Sequence, residues 1–336
     1  MPFALFSVAA VHARQRIAAI AWILAIGVCA TAVAERMHIV IPAGPGGGLD
    51  GTARETGRAL VELGLVEQVS FENVSGGGGG RAMAYFLENA ERFDLPVLVN
   101  STPLVLRSLQ GLFPFGFRDL TPVAALVGDH GVFVVRADSA IEHWDAVLET
   151  LRNNPGKMVI GGGSVRGSLD HVVLALALEA ADLPVRAGRY VPYDGGGKAM
   201  LALLGGEVEL LSTGLGESMA FVAGGEARVL AVTSATRITA LPDVPTLKEL
   251  GYPVVFANWR GLFGSPTMAP QVRRELVDQL SAMRTSPHWE DVLERRGWTS
   301  LEIDAAAFGA YLEAQETQLA GTMRNLGFLA PSDDGG

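Results

Sequence analysis

Residues 37–54, MHIVIPAGPGGGLDGTAR, decide the fold. Met37 to Pro42 is a short apolar run bounded by turn residues, the pattern of a buried strand. It passes into Ala43-Gly44-Pro45-Gly46-Gly47-Gly48-Leu49-Asp50, then into a helical stretch to about Leu63 with Ala53, Leu60 and Leu63 on one side. The same unit of strand, glycines and helix recurs twice. Met158 to Ile160 feeds Gly161-Gly162-Gly163-Ser164-Val165-Arg166-Gly167-Ser168, followed by a long apolar helix, Leu169 to about Ala181. Arg189 to Pro192 leads into Tyr193-Asp194-Gly195-Gly196-Gly197 and a helix to Leu204.

Working outward, Val69–Phe71, Leu95–Asn100, Pro122–Val127, Val132–Arg136, Val208–Leu211 and Val229–Val232 read as further strands. Ser75–Gly80 introduces a helix over 81–90, and Trp144, Val147, Leu148 and Leu151 have helical spacing that ends at Pro155-Gly156. Val272, Leu276, Leu280 and Met283 mark a late helix, and Phe308, Tyr311, Leu312 and Leu319 another. Strands alternating with helices predict an α/β fold with mostly parallel sheets. No fixed-period repeat or heptad is present, which excludes solenoids and coiled coils.

A strand that ends in glycines and starts a helix exposes the helix's first free N–H groups. Those donors and the positive end of the helix dipole make an anion site without a cationic side chain. Any one such loop is also an ordinary tight turn. Three in one chain carry more weight, because an α/β fold gathers them at the carboxyl ends of its strands.

The loops fail the better-known motifs. Gly46–Gly51 fits G-x-G-x-x-G by letter, but no acidic residue ends a second strand about 20 residues on. Gly197-Lys198 lacks the flanking residues of a P-loop, and Ser164 is followed by Arg166 where a nucleophile elbow needs glycine. His171 lies early in an apolar helix, a structural position, and no spaced metal cluster or cofactor motif is seen. The sequence does not look catalytic. A net charge of −10 excludes an ordinary nucleic-acid binder.

Arg14 and Arg16 precede an uncharged, mostly apolar run, Ile17 to Ala34, which closes on Ala32-Val33-Ala34. That order predicts a secretory signal peptide over 1–34 with cleavage after Ala34; an uncleaved anchor helix is the rival. Cys29 follows a poor lipobox, because Val28 is too large.

Read together, the segments resemble the substrate-binding receptors of tripartite tricarboxylate transporters, the TctC or Bug family. Residues 42–54 look like that family's first-loop signature. The segments at 119–122, 154–157, 190–197, 204–206, 230–234 and 242–246 follow in the family's order. Residues 162–171 (GGSVRGSLDH) and 258–261 (NWRG) point to the tricarboxylate-receptor branch, whereas 93–96 (FDLP) departs from a common family segment and leaves the ligand open.

The resemblance implies a two-lobed Venus-flytrap fold, with one lobe at 35–133 plus 256–331, the other at 134–255, and a frayed tail at 332–336. It implies a monomeric, periplasmic receptor without cofactor or metal. Such a receptor binds a small di- or tricarboxylate such as citrate and hands it to large and small integral membrane subunits. The first loop and Gly161–Ser168 then act as two jaws on a ligand carboxylate. The expected ligand contacts are Gly44, Pro45, Gly46, Gly47 and Asp50 from the first jaw and Gly163, Ser164, Val165, Arg166, Gly167 and Ser168 from the second. Ser101 and Thr102 at a strand end, and Asp194 and Gly195 in the third loop, complete the set. Asp50 and Ser168 double as helix N-caps. Arg166, the one cation inside a jaw, suits bidentate carboxylate binding or points to solvent. Ser212, Thr213, Glu217 and Arg260 are weaker candidates. A sensory receptor presenting its ligand to a membrane kinase, and a hydrolase or nucleotide-dependent enzyme, are the competing readings.

Overall fold

The computed structural model describes residues 36–112 and 114–329. The segments expected to be a signal peptide (1–34) and a frayed tail (332–336), with Cys29, lie outside them. Among the described residues ten strands and ten α-helices alternate over most of the length. They are β1 (Arg36–Ile41), α1 (Gly48–Glu62), β2 (Gln68–Asn73), α2 (Gly80–Asn89), β3 (Leu95–Ser101), α3 (Pro103–Leu109) and β4 (Thr121–Arg136). Then come α4 (Trp144–Asn153), β5 (Val159–Gly162), α5 (Leu169–Glu179), β6 (Arg189–Pro192), α6 (Gly196–Leu204), β7 (Leu210–Gly214) and α7 (Leu215–Ala223). The chain closes with β8 (Ala227–Val232), β9 (Ala257–Gly264), α8 (Pro270–Arg284), α9 (Pro287–Arg296), β10 (Thr299–Asp304) and α10 (Ala305–Asn325).

Two sheets share the long strand β4. Up to His130 it pairs with β9 and β10; from Gly131 onward it pairs with β7 and β8. The first sheet runs β2-β1-β3-β9-β4 and the second β4-β7-β5-β6. The outer pairs of both sheets are parallel, as strand–helix alternation requires. The pairs formed by β4 and β9 are antiparallel, so the sheets are mixed rather than mostly parallel. The reason is topological: the chain crosses between lobes along β4 and returns into β9, and those two strands run in opposite directions.

Composition at Gly128-Asp129-His130-Gly131 suggested a break between two strands. The segment is instead continuous strand. Its glycines leave room for Thr299 on one side and Val173 with Thr233 on the other, and Asp129 is buried but paired. The short strands and helices β9, β10, α3, α7 and α9 had no strong periodic signal. Helix α9 is local in origin all the same: Ser286 Oγ accepts the N–H of Trp289, Pro287 opens the helix, and Gly297 closes it in the left-handed region.

Helices cover both faces of the first sheet. α1, α8 and α9 enclose one core around Ile39, Val97 and Leu262, and α2, α3 and α10 another around Leu98, Trp259 and Phe263. Helix α5 is apolar all round because both lobes use it. Val172 and Ala175 pack into the first-lobe core, while Val173, Leu174, Ala177 and Leu178 pack into the second. Among the described residues no helix is long and apolar enough to cross a membrane.

Trp259 is fully buried, 5.4 Å from the Phe308 ring and 6.1 Å from Phe263. Trp259→Ala is expected to cost about 3–5 kcal/mol. Urea denaturation monitored by circular dichroism checks this; a loss near zero would mean that the return strand is not anchored by this cluster.

Candidate functional site

The carboxyl ends of β1, β3, β5, β6 and β7 converge on one cavity of about 90 Å³. Gly47 and Gly48 line it from the first jaw, Ser101 from the end of β3, and Gly163 and Ser164 from the second jaw. Gly195 and Gly196 come from the third loop, Glu217 and Gly214 from the start of α7, and Asn258 and Arg260 from β9. Gly163 has to be glycine: a Cβ there would collide with the backbone of Gly195 and Gly196. The second and third loops are tied further by Gly195 N–H donating to Gly163 O at 3.0 Å.

Of the expected contacts, Gly47, Ser101, Gly163, Ser164 and Gly195 line the cavity; the others stand outside it. Pro45 and Gly46 are exposed. Asp50 is not the N-cap, because α1 begins earlier, at Gly48 after Gly47. Asp50 instead shapes the jaw, Oδ2 accepting from Gly46 N–H at 3.0 Å and Oδ1 from Arg54 and Asn73. Burial works against its charge, but these donors outweigh it and lower its pKa.

Thr102 presents its N–H to Asn258 Oδ1 at 3.2 Å, inside the protein. Ser168 occupies the N-cap position of α5 without a side-chain cap bond. Ser164 takes that part, its Oγ accepting Asp170 N–H at 2.9 Å. Gly44 packs beneath Asp194, which pairs with Lys198 at the surface. Val165 and Gly167 face the first lobe, toward Gly78 and Gln110 respectively. Arg166 turns out of the jaw and donates to Tyr190 O at 2.8 Å, so the one jaw cation is not aimed at the cavity.

Charge in the cleft comes from residues that sequence reading ranked low. Arg260 is buried and ion-paired with Asp129, and Nη1 donates to Gly48 O at 3.1 Å and Thr52 Oγ1 at 3.3 Å. Asp129 Oδ1 accepts Gly216 N–H at 3.1 Å. Glu217 spans the lobes: Oε1 accepts the N–H of Gly48 at the start of α1, and Oε2 accepts Thr213 Oγ1 at 2.7 Å. A side chain on Gly196 would displace that carboxylate. Glu217 and Arg260 are weaker candidates in the sequence; their bonds to distant parts of the chain come only from the fold.

Desolvation drives up the pKa of Asp170, and the Glu217 charge adds to it. Desolvation also raises Asp129, with the Arg260 charge opposing. His171, stacked 4.4 Å from Tyr190, is pushed down to about 4 by burial and then by Arg166.

Residues 64–327 match the model of the tripartite tricarboxylate transporter family receptors, TctC. The chain belongs to this family. BugT of Bordetella pertussis is 30% identical over 247 residues, which cover 71% of this chain and 73% of BugT. The periplasmic binding protein BugD superposes with a TM-score of 0.79 at 24% identity, covering 88% of this chain and 98% of BugD. Two Rhodopseudomonas palustris proteins share the fold. Rpa4515 with adipate has a TM-score of 0.80 at 20% identity, covering 87% and 97%; MatC with bound malate has 0.75 at 18%, covering 85% and 98%. This α/β chain is therefore a solute-binding receptor of a transporter family with the periplasmic-binding-protein fold, and not an enzyme.

Asp170 favours its neutral form in the folded protein. Its contribution to stability is whole below the unfolded carboxylate pKa of about 3.9 and is lost as pH rises through its raised folded value. Asp170→Asn is expected to melt higher than the parent near pH 8, the difference shrinking toward pH ~4. Thermal melts across that range test it; a pH-independent difference would contradict the burial of an uncompensated carboxyl.

Proposed function

We propose that the chain is an extracytoplasmic receptor that closes two lobes on a small di- or tricarboxylate and delivers it to the membrane subunits of a tripartite tricarboxylate transporter. The observation that carries this reading is Glu217 Oε1 on the N–H of Gly48 at the start of α1. The first jaw already accepts a carboxylate, and the ligand's carboxylate takes the place of this internal one. Helix N-terminal N–H groups and the dipole supply the attraction.

The other groups fit that role. Ser101 and Asn258 line the same space, and the upward shift of Asp170 favours the protonated form, which can donate a hydrogen bond to an anion that the ionised form would repel. Affinity is expected to fall as pH rises and Asp170 ionises. The adipate and malate of the R. palustris relatives support the chemical class. The segments at 162–171 and 258–261 favour a tricarboxylate such as citrate, while the acidic lining (Asp170, Glu217) favours fewer ionised carboxylates. In this reading the receptor is monomeric, and residues 1–34 export it. The lobes, 35–133 with 256–331 and 134–255, move about the two crossing segments.

Calorimetric titration of malate, adipate and citrate into the purified chain is expected to show binding near a Kd of about 1 μM, roughly −8 kcal/mol. Sugars give none. Absence of heat with every carboxylate, alongside binding of a sugar or a metal ion, would sink the proposal. Glu217→Gln removes the competing charge and is expected to tighten carboxylate binding roughly tenfold, about 1.4 kcal/mol. Unchanged affinity would mean that Glu217 does not share the ligand's position.

A further inference from the structure

Among the described residues, a cavity much larger than the jaw cavity stands apart from it. About 830 Å³ lies on the outer flank of the second jaw, where residues of both lobes meet. Arg166, Arg186 and Arg189 line it, together with His171, Tyr190 and Phe328. Among the described residues no aspartate or glutamate lines it, in a chain whose net charge is −10. A surface pocket that gathers three guanidinium groups against the protein's own acidic field concentrates anions.

His171 adds a directional donor. Its Nδ1 accepts the N–H of Gly167 at 2.9 Å, so the proton of the neutral ring sits on Nε2. Protonating Nδ1 would set two donors face to face, which agrees with the depressed pKa of about 4. The residue is 9% exposed, and its ring is clamped between Tyr190 at 4.4 Å and Phe328 at 4.8 Å. The Nε2–H of His171 and the guanidinium groups of Arg166, Arg186 and Arg189 offer one oriented hydrogen bond and several charge contacts.

The cavity is composite. Gln110 Nε2, from the end of α3 in the first lobe, donates to Gly167 O of the second jaw at 3.1 Å. Phe328, just beyond α10, packs on His171. Opening the lobes separates these walls.

We propose that this flank is a second ligand site, specific for a compact, multiply charged oxyanion that bridges the lobes and favours their closed arrangement. The guanidinium and imidazole donors suit phosphate and carboxylate oxygens alike. By linkage, an anion bound here tightens the jaw site, and a jaw ligand tightens this one. The proposal does not depend on which solute the jaws take.

Inorganic pyrophosphate and citrate, titrated separately at low ionic strength, provide the test. Each is followed by calorimetry on the parent chain, on Arg186→Ser/Arg189→Ser, and on Arg36→Ser/Arg92→Ser as a control for lost charge. These arginines are all exposed, so the variants are expected to fold. At least one anion should bind the parent at this site, with roughly tenfold weaker binding in the first variant and little change in the control. Loss with pyrophosphate identifies phosphate chemistry, and loss with citrate alone identifies a carboxylate. Equal affinities in the two variants, or no anion binding to the parent, would overturn the site.

Discussion

Arg260 and Asp129 form an ion pair whose side chains are 3% and 0% exposed, and each stands on one of the two strands that join the lobes. Buried charges of this kind are tolerated only when paired and hydrogen-bonded, and removing one partner costs about 3–5 kcal/mol. Other atoms of the pair bond on both sides. Arg260 holds Gly48 O and Thr52 at the start of α1, and Asp129 holds Gly216 N–H at the start of α7. One interaction thus fixes the crossing strands and the two helix N-termini that face each other across the cleft.

Under the proposed function, that arrangement explains how an acidic protein would present a site for anions. The guanidinium of Arg260 is committed to structure, so the donors left for a ligand are backbone N–H groups and hydroxyls on rigid glycine loops. Glu217 sits on one of those donors from the opposite lobe, so in the proposed function closure and anion recognition use the same contact. Asp170 is kept toward its neutral form by burial and by Glu217, which limits the repulsion an incoming carboxylate meets.

The three glycine loops were legible because their signal is local. A short apolar run, glycines and an amphipathic or apolar helix are written in consecutive residues, and parallel strands bring such loops to one edge. The roles of individual side chains were less legible. Arg166 stands in the second jaw by position, yet its guanidinium goes to Tyr190 O and a different cavity. Asp50 looked like a cap and proved to be a brace for Gly46, since the helix starts before it. Glycine composition at 128–131 hid a continuous strand, because what keeps that segment extended is packing from β10, α5 and the Arg260 pair.

By itself the sequence determined the α/β alternation, the family, the glycine loops and the absence of an enzymatic motif in them. Each of these depends on backbone preferences and residue order over a few positions. Tertiary structure decided the mixed sheets, the sharing of β4 between lobes and the acid-lined cleft. It also decided the placing of Glu217 on Gly48 and the turning of Arg166 to the flank. Those depend on which charges and surfaces meet across 24 to 212 residues of chain, from Arg166 and Tyr190 through Gly216 and Asp129 to Gly48 and Arg260. At that separation only the packed fold sets the distance, and with it the strength, of an electrostatic contact.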